Sequence, residues 1–325
     1  MEIGKIPNQI LEETVLNKLK IKRTEMLKTA GVGEDAAVAD FGDNLIVMSV
    51  DPITGAAENI GALAVHISCN DIATEGAEPV CLLCSLLLPP ETTLEQLEKI
   101  MEEMAYEADK LNVDIVGGHT EITDAVNRVV ITTTVLGKKL NIIKDDPIET
   151  NDLIVVTKSL GLEGAAIIAH DNYEQLKTVL SDKTLNEAQD LIKEISVVKD
   201  GLLAHQYGAK YMHDITEGGV LGALWELGEA TGRGGTIFKE RLPIKDCVKK
   251  ICNILKIDPL KLISSGSMLI VISQSDYISL QKEYRKYNIE SQVIGRIADF
   301  KDIFLSEGDN LTAISAPDSD ELYKV

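Results

Sequence analysis

The first half of this chain is best read from the stretch Asn70-Asp-Ile-Ala-Thr-Glu-Gly-Ala-Glu-Pro79. A helix over 59–76 is predicted from apolar residues at helical spacing, namely Ile60, Leu63, Ala64, Ile67, Ile72 and Ala73. A carboxylate without a partner is costly to bury in such a pattern. Asp71 is therefore either a functional group or a residue on the exposed edge of the helix. Pro79 then begins an apolar run to Leu88 that predicts a buried strand.

Strand-like runs alternate with helical patterns on both sides of this stretch. In the first half, strands are predicted over 45–50, 79–88, 113–116 and 129–136, and a second helix over 93–111. In the second half, helices are predicted over 161–170, 184–206 and 218–231, and strands over 153–157, 267–273 and 291–296. This alternation indicates a mixed α/β (α+β) fold class.

The length of 325 residues suggests two domains, since one domain usually takes about 150 residues. The polar, turn-rich segment 141–151 is the expected boundary. We expect a basic N-terminal arm, two domains and a polar, extended tail, with the limits 1–30, 31–145, 151–310 and 311–325.

The composition is that of a folded acidic protein, with 45% hydrophobic residues and a formal net charge of −20. Such a surface repels phosphate backbones, which disfavours nucleic-acid binding. The arm 1–30 has six Lys or Arg and four Glu, and is either an anion contact or a basic helix lying on the acidic body. Its start lacks the pattern of a secretory signal, and no apolar run approaches the length of a membrane span. We therefore expect a cytoplasmic protein without membrane association.

Acidic residues of the first half occur at predicted strand ends and turns, in 33–38, at Asp51, at Asp71 and in Gly117-Gly-His-Thr-Glu121. Several carboxylates brought together would repel one another unless a hard cation such as Mg²⁺ shared them. Metal-bound phosphate is the natural ligand of such a site. A Gly117-Gly118 turn would let backbone N–H groups approach a phosphate closely. Taken singly, a Gly-Gly pair is more typical of an ordinary turn, and an acid at a strand end of a solvated cap or turn residue; Asn70-Asp71 is the most specific of these features.

Two histidines, His119 and His213, lie inside motifs, and either could stabilise negative charge or move a proton near neutral pH. Asp214 and Glu217 precede Gly218-Gly219 and an apolar helix. They are candidates for catalysis, for an N-terminal helix cap, or for both.

These motifs, in this order and approximate spacing, resemble the aminoimidazole ribonucleotide synthetase (PurM-like) superfamily. The resemblance covers about residues 3–300 and is greatest to its hydrogenase maturation branch, HypE and relatives. It rests on Gly33-Glu-Asp-Ala-Ala-Val38, Asp51, Asn70–Pro79, Gly117-Gly-His-Thr120 and His213-Asp-Ile-Thr-Glu-Gly-Gly219.

The resemblance implies a homodimer in which the N-terminal sheets of two subunits pair into a β-barrel, with a C-terminal α/β domain beside it. It also implies ATP and Mg²⁺ as cofactors. The metal-binding acids would be Asp35, Asp51 and Asp71. The nucleotide would contact Gly33, Asp35, Asn70, Asp71, Gly117, Gly118 and Thr120. The candidate catalytic residues are Asp71, His119, His213, Asp214 and Glu217.

The shared chemistry of the superfamily is transfer of the ATP γ-phosphoryl group, often to a carbonyl or amide oxygen, on a small molecule or a partner protein. HypE itself ends in a Cys that carries a carbamoyl group, whereas this sequence ends Tyr323-Lys-Val325, with no Cys after Cys252. We therefore expect that this chain does not perform that step on its own C-terminus. Two alternatives remain. One is a small-molecule kinase resembling thiamine monophosphate kinase, which usually has Asp-Asp at Glu34-Asp35 and an Asp at His119. The other is a non-catalytic nucleotide-binding scaffold in a maturation complex.

Overall fold

The computed structural model describes residues 8, 12, 24–29, 31–34, 36–42, 45–56, 58–139, 146–317 and 319–325. Most of the predicted arm 1–30 and the predicted metal ligand Asp35 lie outside these residues. The described residues form two sheets, with helices packed against each. This is a mixed α/β fold, as the sequence predicts. The dimeric barrel and the exact domain limits stay predictions.

The first sheet has the strand order β1-β2-β3-β6-β4-β5, in which the parallel pair is β4 and β5. Its strands are β1 (Met26–Lys28), β2 (Ala37–Asp40), β3 (Leu45–Ile53), β4 (Ala77–Leu88), β5 (Asp114–Ile122) and β6 (Val130–Lys139). Two helices pack against one face of it, α1 (Ile60–Thr74) and α2 (Leu94–Leu111).

Helix α2 has the ends that its sequence predicts. Its start is a capping box, in which Thr93 Oγ1 accepts from the Gln96 N–H at 3.2 Å and Gln96 Oε1 accepts from the Thr93 N–H at 2.8 Å. Its end is Asn112 in the left-handed conformation, φ 56°. Between them, an apolar stripe that includes Ile100 and Met104 is buried against the sheet.

The second sheet has the strand order β13-β12-β9-β11-β7-β10-β8. Its strands are β7 (Leu153–Thr157), β8 (Tyr211–Asp214), β9 (Gly234–Phe238), β10 (Met268–Ile272), β11 (Ser291–Ala298), β12 (Ile303–Glu307) and β13 (Asn310–Ala313). Its helices are α3 (Leu162–Asp171), α4 (Tyr173–Leu176), α5 (Asp182–Gln189), α6 (Val198–Gln206), α7 (Gly219–Thr231), α8 (Asp246–Leu255) and α9 (Gln274–Lys286).

Helix α1 connects the two halves of the molecule. It packs against β3, β4 and β6 on one side and against α6 and β8 on the other, so 14 of its 15 residues are buried. A Cβ added at Gly201 of α6 would lie 2.4 Å from the Ala73 carbonyl oxygen, so the two helices touch through their backbones. The Asn70 amide donates to the Ile195 carbonyl at 3.0 Å and accepts from the Val197 N–H at 2.8 Å.

The Asn70 hydrogen bonds account for one departure from the sequence prediction. A continuous helix is predicted over 184–206, but the structure has α5, a 3₁₀ turn over 190–194, and then α6. The Ile195 carbonyl and the Val197 N–H face the Asn70 side chain instead of continuing a helical ladder. The long-range partner therefore overrides the local helical pattern.

Residues 117–120 form part of strand β5 and not the predicted turn. Gly118 pairs with Cys84 of β4, and a Cβ at Gly118 would lie only 1.8 Å from the Cys84 carbonyl oxygen. The close approach of two strands gives this glycine a structural role, and its contact with a nucleotide stays a prediction.

The C-terminal segment also differs from the extended tail that the sequence predicts. It contains β13 and a 3₁₀ turn over Glu321–Lys324. The Asp320 carboxylate accepts from the backbone N–H groups of Gly218 at 2.7 Å, Leu322 at 2.8 Å and Ile263 at 3.2 Å. These bonds hold the segment against the second half.

We predict that Asn70→Ala lowers the free energy of unfolding by about 2–4 kcal/mol, because it leaves the Ile195 carbonyl and the Val197 N–H buried without partners. Denaturant unfolding measures the change. Asn253→Ala, at an exposed position within helix α8, controls for the difference in helix propensity. Equal stability of the two variants would contradict this role of Asn70.

Candidate active site

A cavity of about 1180 Å³ lies between the two halves of the molecule. One wall comes from β3 and the segment after it, from α1, and from the connection between β5 and β6. The other wall comes from the start and end of α3, from 214–217, from Ile263 and Ser265, and from the C-terminal turn. Both halves therefore build the site.

The described lining residues carry a large excess of negative charge. Eight are carboxylic acids, whereas the only cationic side chain among them is Arg128. The acids are Glu34, Asp51, Asp71, Asp124, Glu163, Asp171, Asp214 and Glu217. Carboxylates gathered in this way repel one another, so the cavity favours a divalent cation or another strongly positive ligand.

Strand alternation places part of this acidic wall. Val47, Ser49, Asp51 and Ile53 lie on the same face of β3, where the two apolar residues are buried in the core. Ser49 and Asp51 on this face line the cavity. Asp71 of α1 also lines it, and its Oδ2 accepts a hydrogen bond from the Ser49 hydroxyl. Asp71 is only 7% exposed, so it does not lie on an exposed helix edge.

The segment after β8 brings two further predicted residues to the cavity, Asp214 and Glu217. The turn that follows needs glycine, because Gly219 has φ +61° and a Cβ there would lie 2.6 Å from the Leu260 carbonyl oxygen. Helix α7 begins after Gly218 without a side-chain cap, so neither acid is its N-cap. Glu217 Oε1 instead accepts from the Tyr323 hydroxyl at 2.6 Å.

Glu163 is a cavity residue that the sequence reasoning missed, because an acid in the first turn of a helix is ordinary. The available signal is the apolar pattern around it, since Leu162–Ala169 is buried throughout. Burial raises the pKa of Glu163 to about 7, the nearby Asp320 and Glu217 add to the shift, and Ser265 opposes it. Burial likewise raises the pKa of Asp320 to about 6.

The predicted histidines are not in the cavity lining. His213 is 3% exposed, and its Nε2 lies 2.7 Å from Glu226 Oε2. His119 is on β5, where its exposed side chain faces Glu121 at 3.3 Å. In this chain, therefore, both histidines lie in side-chain pairs outside the cavity.

The structure also places most of the predicted nucleotide contacts elsewhere. Asn70 is fully buried, and its amide is used by the second half of the molecule. A Cβ at Gly33 would lie 3.0 Å from the Glu226 carbonyl oxygen, so this glycine packs against α7 while its neighbour Glu34 lines the cavity. Gly117, Gly118 and Thr120 lie on the edge strand β5.

The cavity supplies some of the ligands that a magnesium ion needs. Carboxylate oxygens are the ligands that Mg²⁺ prefers, and Asp51 and Asp71 supply them. No three acidic, His or Cys side chains are close enough together to hold a metal, within the part of the chain that the structure describes. Mg²⁺ usually keeps waters and takes phosphate oxygens as further ligands, so a nucleotide would complete such a site.

None of the helices built from described residues combines the length and the apolar character that a bilayer span requires.

Comparison with known proteins matches two domain models of one family. Residues 33–138 match the N-terminal domain of AIR synthase related protein, and residues 149–306 match its C-terminal domain. Among sequence relatives, a Methanocaldococcus jannaschii protein named for hydrogenase expression and formation is 30% identical over 285 residues, which cover 84% of this chain and 81% of that protein. Carbamoyl dehydratase HypE of Escherichia coli is 27% identical over 263 residues, which cover 79% and 76% of the two chains.

Solved structures share the fold. A chain of the HypE-HypF complex aligns with a TM-score of 0.75 and 23% identity, covering 95% of this chain and 99% of that one. HypE in complex with ATP aligns with a TM-score of 0.69 and 20% identity, covering 97% and 95%. AaThiL complexed with AMPPCP and TMP aligns with a TM-score of 0.73 and 15% identity, covering 96% and 99%.

The two domain models together match more than half of the chain, and they cover the central strands of the two sheets, β2–β6 and β7–β12, almost completely. The chain therefore belongs to the AIR synthase related protein family and contains both of its domains.

Proposed function

We propose that this protein is an ATP-dependent enzyme that transfers the γ-phosphoryl group of ATP to a carbonyl or amide oxygen of an acceptor in the acidic cavity. The observation that carries the proposal is the set of eight carboxylates, contributed by both halves of the molecule, around that cavity. Magnesium ions with ATP match this charge pattern, because the metal binds carboxylates and phosphates together.

The roles of the residues follow from their positions. Asp51 and Asp71 would hold Mg²⁺, and the resemblance adds Asp35 to this set. Asp214 and Glu217 lie across the cavity, on the wall from which an acceptor would be positioned. Phosphoryl transfer turns the acceptor oxygen into a leaving group, and most of the catalysis comes from positioning and charge neutralisation.

Structural relatives support the nucleotide. HypE has been solved with ATP and AaThiL with AMPPCP, and both share the fold of this chain. The E. coli relative is a carbamoyl dehydratase and another structure is of a HypE-HypF complex, so an acceptor carried by a partner protein is one form of the proposal.

The proposed enzyme and its two alternatives differ in what they release from ATP. An activating enzyme releases ADP and free phosphate when its phosphorylated acceptor reacts further. A small-molecule kinase releases ADP and a phosphorylated product, and AaThiL, which shares the fold and was solved with TMP, motivates this alternative. A maturation scaffold binds nucleotide without turnover.

We also propose a homodimer formed through the first sheet. The sheet face opposite α1 and α2 exposes apolar side chains, including Val50 of β3 (56%) and Leu83 of β4 (44%). Both residues pair with Thr134 of β6, so they lie on the same face of three neighbouring strands. Pairing of this face would bring the edge strand β5, with Gly117, Gly118, His119 and Thr120, near the partner subunit.

We predict that Asp71→Asn weakens Mg²⁺-dependent binding of a non-hydrolysable ATP analogue at least about tenfold, corresponding to about 1.4 kcal/mol, because one charged metal ligand is lost. Calorimetric titration with and without Mg²⁺ measures the change. ADP release from ATP should fall with it.

The control is Asp109→Asn, which removes the same charge from an exposed position near the end of α2. This variant should bind like the wild type. A folded Asp71→Asn protein with unchanged affinity and ADP release would refute the site.

We predict that Leu83→Asp converts a dimeric wild type into monomers, because dimer formation would bury an unpaired charge. Light scattering coupled to size exclusion measures the mass. Val179→Asp places the same charge at a residue of the second half that is 60% exposed, and it should leave the dimer intact. A wild type that is monomeric at all concentrations would disprove the dimer.

A further inference from the structure

Glu163 is a buried residue in the wall of the cavity, and one of its carboxylate oxygens has no partner among the described residues. Its residue is 3% exposed, yet it lines the cavity from the first turn of α3. Its Oε2 atom is buried and has no hydrogen-bond partner among the described residues. A buried polar atom without a partner lowers the stability of the fold, so a structural role does not explain why a glutamate occupies this position.

The charged groups that shift the pKa of Glu163 are acidic, so they do not neutralise its carboxylate. Asp320 of the C-terminal segment and Glu217 after β8 disfavour its charged form, and Tyr323 of the C-terminal turn lies in the same cluster. Ser265, before β10, is the group that stabilises the carboxylate. The other acid that α3 contributes to the cavity, Asp171, is also negatively charged and so cannot neutralise Glu163. A carboxyl in this setting changes its protonation near neutral pH, since burial raises its pKa to about 7.

The other acids of the cavity have different neighbours. Glu217 accepts from Tyr323, and Asp71 accepts from Ser49 on the proposed metal-binding wall. Glu163 lies on the opposite wall with one oxygen unengaged. Proton transfer needs a group that borders the cavity and exchanges its proton at the working pH, and Glu163 meets both conditions.

We propose that Glu163 is the general base of the reaction and takes the proton that the acceptor loses when it is phosphorylated. This inference rests on the proposed function. The acceptor oxygen forms the new bond to the γ-phosphorus, and the bond from that phosphorus to the ADP oxygen breaks with its electron pair remaining on ADP. The acceptor proton, from O–H or from the N–H of an amide, moves to the Glu163 carboxylate and later leaves to water. The site therefore takes protic acceptors.

The test uses Glu163→Gln in the full chain, because glutamine keeps the shape of the side chain and cannot take the proton. Calorimetry with Mg²⁺ and a non-hydrolysable ATP analogue measures binding. ADP release from Mg²⁺-ATP, with water as the acceptor, is followed from pH 5.5 to 9. The control is Glu174→Gln, which changes an exposed first-turn acid of α4.

We expect Glu163→Gln to bind the analogue within about twofold of the wild type, while ADP release falls about 100-fold or more. The wild-type rate should rise with pH around 7, and the variant should lack this rise. Glu174→Gln should behave like the wild type. A variant with wild-type rate and pH profile overturns the role of Glu163, and so does a variant that no longer binds. A wild type that neither binds nor turns over ATP overturns the proposed function and this inference together.

Unfolding measurements test the same proton independently of turnover. The ordinary pKa of Glu, 4.5, is raised by folding to about 7, so the folded wild type loses stability as pH rises through this range. The unfolding midpoint of Glu163→Gln minus that of the wild type should therefore be larger at pH 8 than at pH 5. An equal difference at both pH values would show that Glu163 does not change protonation there, which excludes the proposed role.

Discussion

The structure depends on the burial of helix α1 between the two halves. Consecutive residues of a helix point about 100° apart, so Asn70 and Asp71 face different neighbours. Asn70 holds the backbone of the second half at Ile195 and Val197, whereas Asp71 faces β3 and the cavity. The same two residues therefore connect the halves and place one carboxylate in the space between them. This coupling explains how a site made from both halves keeps its geometry.

The charge of the cavity is the second constraint. Carboxylates from both walls can be held together only if the fold supplies the energy or a ligand neutralises them. Backbone N–H groups stabilise Asp320, and the Tyr323 hydroxyl donates to Glu217. The C-terminal segment thus belongs to the wall of the site, and the remaining negative charge favours a cationic cofactor.

Much of the fold was predictable from the sequence, because α2 has clear periodicity and caps, and α1 and the core strands are largely apolar. The acidic residues Asp51, Asp71, Asp214 and Glu217 were also predicted, and the structure brings them to one cavity. What the sequence could not indicate are long-range relations. Asn70 and Gly118 have partners distant in sequence that give them structural roles. Glu163 resembles any first-turn acid until its burial is known.

The central claim is that both halves bind a metal-nucleotide complex in this cavity. A crystal structure of the protein with Mn²⁺ and a non-hydrolysable ATP analogue tests it most directly, because anomalous scattering locates the metal. We expect Mn²⁺ bound by oxygens of Asp51 or Asp71 and by the phosphates, with the nucleotide between the two walls. Metal and nucleotide located outside the cavity, or a cavity without metal at saturating concentrations, would contradict it.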